Sequence, residues 1–439
     1  MGSRPAALDI WMNGDPVGRW ERTRTGADQL TYLDAWLDSP ERRPLSLSLP
    51  LARESLRGAA VVAWFDNLLP DNDRILRRMR ERHHAASTSA FDLLAAVGRD
   101  CVGAVQLVPA GDAPPDPRRI ECEALSEADV ARILRETSVT GAMPARDDDA
   151  FRLSIAGAQE KTALLRHRGR WCVPHGATPG THIFKLPLGR VGALGVDLAD
   201  SVELEWLSMQ IARELGLPVA ACEIGRFEDQ TALIVERFDR VKSRDGKWWQ
   251  RLPQEDFCQA AGILSTRKYE ADGGPGIARI MDMLRASERA AQDRATFFTA
   301  QIAFWLLAVT DGHAKNFSLR ILRGGAWRMT PLYDILSVYP VAGGKAGQLD
   351  PHKVRLAMAV DGANRHYRIL DIHRRHWLAF AARLGVPDAD AIIEDLIARA
   401  PIALDRVAAL LPHDFPERLF APVDKGVRGA VRRLASESS

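Results

Sequence analysis

Long apolar runs, paired cysteines and a charge imbalance are all missing from this chain of 439 residues. No apolar stretch reaches the roughly 18 residues that span a bilayer. The opening MGSRPAALDIWMNGDPVGRW lacks the apolar core of a signal peptide. Ala6 stands where the myristoylation pattern wants Ser or Thr. The expectation is a cytoplasmic protein without membrane contact. The five cysteines, at 101, 122, 172, 222 and 258, include no Cys-x-x-Cys and no His at zinc spacing, so they read as reduced core thiols. A net charge of +2 does not announce a nucleic-acid binder. Basic clusters at 74–84, 365–376 and 425–434 read first as solvated helix faces. Also missing are the G-x-S-x-G elbow of α/β hydrolases and a G-x-G-x-x-G after a strand.

What is present is ordinary globular material, 46% apolar and 26% charged, enough for two or three domains. Alternating, strand-like pieces open the chain (LDIWMNGDPVGRW), and helical patterns follow at AAVVAWFDNLLPDNDRILRRMRER and SAFDLLAAVG. Pro, Gly and Asp crowd 108–119, an exposed connection. Ser126 with Asp129 three residues on predicts a capping box for a helix over EADVARILRE. From 151 the pattern is strand-rich, beginning with FRLSIAG and interrupted by one helix, DSVELEWLSMQIARELG. Beyond 254 strands almost vanish and helical periodicity takes over. The expected domains are 1–145 of mixed strands and helices, 146–250 as a sheet-rich lobe, and 251–439 as a helical lobe. Small-molecule sites favour the junction between two such lobes.

The chemistry concentrates in LLAVTDGHAKNFSL (306–319). Asp311 and Asn316 stand five apart, the spacing at which a phosphoryl-transfer loop carries its proton acceptor and a magnesium ligand. Asp334, after a Gly-Gly turn that suggests a hairpin, supplies the second hard oxygen that Mg²⁺ needs. The plain alternative makes Asp311 a turn residue and Asp334 a cap. No second His follows His313 at zinc-helix spacing. Lys185 in THIFKLP and Glu205 on the following helix, with Glu203 as its rival, have the order of a kinase strand lysine and helix glutamate. In SIAGAQEKTALL, Gly157 between Ala156 and Ala158 allows a turn lined with N–H groups, although as a bare motif an ordinary hairpin turn is the better reading. VERFDR ends a strand and could present backbone groups to an adenine beside Phe238.

Taken together, PLSLSLPL, GRDCVGAVQL, SIAGAQEKTALL, THIFKLP, VERFDR, RLPQEDFCQ, YEADGGPGIARIM, TDGHAKNFSL and PLYDI resemble, in fixed order, the HipA-type serine/threonine kinases, toxins of bacterial toxin–antitoxin pairs. The resemblance implies an α+β, two-lobed protein-kinase-like fold, with a sheet-rich N-terminal region and a mostly helical C-terminal lobe. It implies ATP and Mg²⁺, with Asp311 catalytic and Asn316 and Asp334 on the metal. Ala156, Gly157, Ala158, Gln159, Glu160, Lys161, Lys185, Glu236, Arg237, Phe238, His313, Ala314, Lys315, Asn316, Tyr333 and Asp334 would face the nucleotide. Glu205 would pair with Lys185, and Ser154 would be phosphorylated by the chain itself. The implied substrate is an aminoacyl-tRNA synthetase, chiefly the glutamyl enzyme. The implied partner is a small helix-turn-helix antitoxin dimer, with operator DNA held mainly through the antitoxin because AARLG (381–385) offers only Arg383. A kinase-shaped corepressor with weak activity is the rival.

Overall fold

The computed structural model describes residues 6–23, 26–138, 159–192 and 194–436. Ser154, Ala156, Gly157, Ala158 and the strand expected at 151–157 lie outside the described residues. The chain divides into two compact units, and neither is one stretch of sequence: 1–186, 225–267 and 318–327 form the first, and 187–224, 268–317 and 328–439 the second.

Among the described residues the first unit holds two large sheets, of five and six strands, and smaller pairings beside them. The alternating N-terminal residues form the antiparallel pair Ala7–Met12 and Asp15–Arg22. Asn13 and Gly14 join them at φ 51° and 92°, the left-handed pair that a two-residue hairpin turn requires. Asp28–Tyr32, Leu56–Arg57 and Val105–Pro109 complete five strands. Their inward face packs on the helices Ala59–Asp66 and Ala90–Val97, with Trp20 stacked on Phe65 at 3.8 Å. The second sheet has six strands, in the order Cys222–Phe227, Gln230–Glu236, His182–Lys185, Lys161–His167, Arg170–Pro174 and Cys122–Ala124. The helix Glu127–Ser138 covers it through Val130, Ala131 and Leu134. The expected capping box is present: Asp129 N–H donates to Ser126 Oγ and Ser126 N–H to Asp129 Oδ2, each at 3.1 Å.

A buried ion cluster joins the N-terminal sheet region to the second sheet within this unit. Asp100 Oδ1 accepts from Arg240 Nη2 at 2.9 Å and Arg251 Nε at 3.2 Å, and its Oδ2 from Arg237 Nη1 at 3.4 Å. Asp239 takes two further bonds from Arg237, at 3.0 and 2.9 Å. Burial alone would raise both carboxyl groups, but the surrounding guanidinium groups hold Asp100 and Asp239 below the usual carboxylate range.

The second unit is mostly helical: Ser201–Glu214, Ala290–Leu306, Arg374–Leu384, Ala389–Leu410 and Glu417–Ala435. The expectation that strands almost vanish beyond 254 needs correcting. Gln254–Asp256 and Ser318–Ile321, both of the first unit, form a small sheet with Trp327–Met329, and in the second unit Arg355–Asp361 pairs with Arg365–Arg368. Strands of three or four residues carry too few alternations to be read, and Leu356 to Val360 are all buried, so no two-residue period marks that strand.

Candidate active site

The loop holding Asp311 is set by the end of one helix. Ala290–Leu306 buries Phe297, Phe298, Ile302, Phe304, Trp305 and Leu306, so its position is fixed by packing. It stops where Ala308 turns left-handed (φ 53°) and Val309 N–H bonds back to Phe304 O at 2.8 Å. Val309 then pairs antiparallel with Ser337, and Val338 N–H donates to Ala308 O at 3.2 Å. These bonds draw the Asp334 segment alongside the Asp311 loop, as the expected hairpin return requires. Gly312 has no room for a side chain, since a Cβ there would sit 2.6 Å from the Phe304 ring.

Within the loop, His313 N–H donates to Asp311 O at 2.8 Å and Asn316 N–H to His313 O at 2.9 Å. Asn316 Nδ2 reaches back to Asp311 O at 2.7 Å. His313, Lys315 and Asn316 are buried, while the Asp311 side chain is 56% exposed. One carboxylate thus faces outward from a loop whose other polar side chains at 313, 315 and 316 are buried. Ala314 is fully buried in the same turn. Tyr333 Oη donates to Lys315 O at 2.8 Å. Asp334 itself sits at φ 61°, a left-handed conformation that costs a non-glycine residue roughly 1–2 kcal/mol. Leu332 is clamped against 218–220, donating to Pro218 O at 2.7 Å and accepting from Ala220 N–H at 2.9 Å, so the surroundings maintain the strain.

The residues fit a magnesium ion. Asn316 spends its amide N–H on Asp311 O, so its side-chain oxygen is the atom it would offer such an ion, and Asp334 would offer a carboxylate. Mg²⁺ prefers such oxygens and takes only one or two protein ligands when phosphates supply the rest. Among the described residues no group of three or more His, Cys, Asp or Glu could hold a metal, so a cage of the zinc kind is not the pattern here.

The other residues singled out from the sequence fall as follows. Glu205 is buried on Ser201–Glu214, whereas Glu203 on the same helix is half-buried. One turn on, Ser208 Oγ accepts Ser337 N–H at 3.1 Å, which ties this helix to the Asp334 segment. In the first unit, Lys185 is buried and lies directly opposite Lys161 across the strand pair. Opposed side chains share a face of the sheet, and like charges there are unfavourable unless an anion is shared. Gln159 Nε2 donates to Leu186 O, and Glu160 pairs with Arg78. Glu236 is exposed at its strand end, and Arg320 Nη2 holds Phe238 O at 2.9 Å. Arg237 is committed elsewhere: its side chain belongs to the Asp100 cluster and its N–H donates to Thr181 O at 2.9 Å.

Sequence reasoning missed Tyr269. Its hydroxyl donates to Asp311 Oδ1, and its ring meets His313 edge-on at 5.0 Å. The only signal was the quoted segment YEADGGPGIARIM, which carried no role.

The HipA N-terminal domain model matches residues 8–108, and the HipA-like C-terminal domain model matches residues 153–404. A putative kinase of Sinorhizobium fredii, Y4mE, is 32% identical over 410 residues, covering 91% of each chain. The serine/threonine-protein kinase toxin HipA of Shewanella oneidensis is 29% identical over 385 residues, covering 84% of this chain and 82% of that one. Among solved structures, one from the complex of Shewanella oneidensis MR-1 HipA, HipB and operator DNA superposes with a TM-score of 0.80 at 24% identity, over 98% of this chain and 97% of the other. That likeness carries the fold, and the family models carry the membership: the chain belongs to the HipA family and has its α+β, kinase-like fold.

Proposed function

We propose that this chain is a serine/threonine protein kinase of a toxin–antitoxin pair, using Mg·ATP. The observation that carries the reading is the Asp311 loop, with one exposed carboxylate, Asn316 folded back onto the Asp311 carbonyl, and a strained aspartate on the segment drawn alongside. In the transfer, the acceptor hydroxyl oxygen bonds to the γ-phosphorus as its proton passes to Asp311. The bond from that phosphorus to the β-phosphate oxygen breaks, and ADP leaves. Asn316 and Asp334 would hold the magnesium ion, which neutralises charge on the phosphates. Lys185, with Glu205 as its ion-pair partner, and the 156–161 segment would meet the phosphates. Glu236 to Phe238 would lie at the adenine. His313, Ala314, Lys315 and Tyr333 would border the nucleotide.

The proposed substrates are Ser154 of the chain itself and an aminoacyl-tRNA synthetase, the glutamyl enzyme first. Phosphoserine adds about −1.5 to −2 charges beside a phosphate-binding segment, so phosphorylated Ser154 would shut off ATP binding. The partner would be a helix-turn-helix antitoxin dimer, as the HipB-bound relative suggests. Operator DNA would be held mainly by the antitoxin. In keeping with this, Arg383 is spent on Asp361 O and Gly362 O at 3.0 and 2.9 Å, and Arg374 on Asp390 and Glu394.

The test is mass spectrometry of the purified chain and candidate synthetases after incubation with Mg·ATP. Phosphate is expected with the wild type and none with Asp311→Asn. Transfer to neither protein by the wild type, alongside intact operator repression with the antitoxin, would favour the corepressor instead.

A further inference from the structure

Tyr269 touches the one carboxylate on which the proposed chemistry turns, and its own position is built with care. The residue after it, Glu270, is drawn inward, where its Oε2 accepts Ala359 N–H at 2.6 Å from the strand Arg355–Asp361. The chain then turns through Gly273 at φ 91° and comes back past the Glu270 side chain at Gly276. A Cβ on Gly276 would stand 2.1 Å from the Glu270 carboxylate, so that glycine is what lets the anchor close. Tyr269 therefore projects from a rooted turn. Its ring rests against the buried His313, and Lys268 Nζ lies 5.5 Å from the ring centre.

An exposed aspartate has free rotamers, and a proton acceptor with free rotamers spends little time aimed at its target. Asp311 is half in solvent, yet its Oδ1 is taken by the Tyr269 hydroxyl. His313 Nε2, at 3.7 Å, stands beyond hydrogen-bond distance, so the phenol is the direct donor. Oδ2 has no protein donor among the described residues.

We propose that Tyr269 is a positioning residue for phosphoryl transfer, fixing Asp311 through Oδ1 so that Oδ2 receives the acceptor proton. This rests on Asp311 being the proton acceptor. Tyr269 takes no part in the bond changes: the proton moves from acceptor to Oδ2 and the phenol keeps its own.

The experiment compares wild type, Tyr269→Phe, Tyr269→Leu and Asp311→Asn in the full chain, reading single-turnover transfer from labelled Mg·ATP, ATP affinity by titration, and thermal midpoint. Tyr269→Phe keeps the ring against His313 and removes only the donor. It is expected to slow transfer about 10- to 100-fold at saturating ATP, with ATP affinity and thermal midpoint unchanged. Tyr269→Leu is expected to match it in rate, because the hydroxyl and not the ring sets the carboxylate. A wild-type rate for Tyr269→Phe, with Asp311→Asn inactive, overturns the proposal and leaves the reading of Asp311 intact. Loss of ATP affinity or of melting temperature in step with the rate assigns Tyr269 a structural role and overturns it too. Activity in Asp311→Asn, or none in the wild type, brings down the reading of the site itself.

Discussion

At the scale of single residues, Asp334 holds a conformation its type resists (φ 61°). Glycine adopts that conformation freely, so Asp334→Gly should leave stability unchanged or raise it by up to about 1 kcal/mol. The same change removes a proposed magnesium ligand and should cost at least about 100-fold in phosphoryl transfer. A thermal midpoint held or raised while transfer collapses is the expected pair of readings. A variant that melts early would mean the carboxylate is structural. Asp311, Asn316 and Asp334 could be read from sequence because two lie five apart and the third follows a glycine turn that announces its return. Tyr269 could not, because its contact spans 42 residues and depends on how Glu270 is anchored on a hairpin that the sequence hid.

At the scale of elements, the segment around Asp100 shows how a sequence can mark a place without explaining it. GRDCVGAVQL was one piece of the family likeness, yet nothing in its pattern pairs Asp100 with arginines 137, 140 and 151 residues away. Three buried guanidinium groups share two carboxylates there, so removing one leaves charge with no compensation. Asp100→Asn is expected to cost about 3–5 kcal/mol, seen as a lowered urea midpoint. Because Arg237 sits in this cluster, the strand end at Glu236–Phe238 should loosen with it. On the proposed adenine role of that strand end, the variant should also bind ATP more weakly under conditions where it is still folded. The Ser126–Asp129 box was legible because capping is local, with both partners inside one helical turn. The three-residue strands were not, since their pairing partners lie far along the chain.

At the scale of the whole molecule, pH should act through Glu255, fully buried beneath Ser46 and Leu47. Leu47 N–H donates to its Oε1 at 2.9 Å. Burial pushes its carboxyl up from 4.5 to about 8, against the smaller downward pull of those hydrogen bonds. Between these two values the folded chain keeps a proton that the unfolded chain has released, so stability falls as pH rises from about 4.5 to about 8. Glu255→Gln should flatten that slope, giving a urea midpoint above wild type at pH 8 and a smaller difference at pH 5. An identical slope in both proteins would place the dependence elsewhere. The division into two units has a consequence for how the protein is made. The chain crosses between the units five times, and the first unit is not complete until residue 327 has been added. A ribosome that stops early releases strands and the N-terminal core, but no loop with its aspartate clamped beside Ser337. On the proposed function, broken messages and stalled synthesis would therefore yield fragments without the assembled Asp311–Asp334 site, which is complete only with the last quarter of the polypeptide.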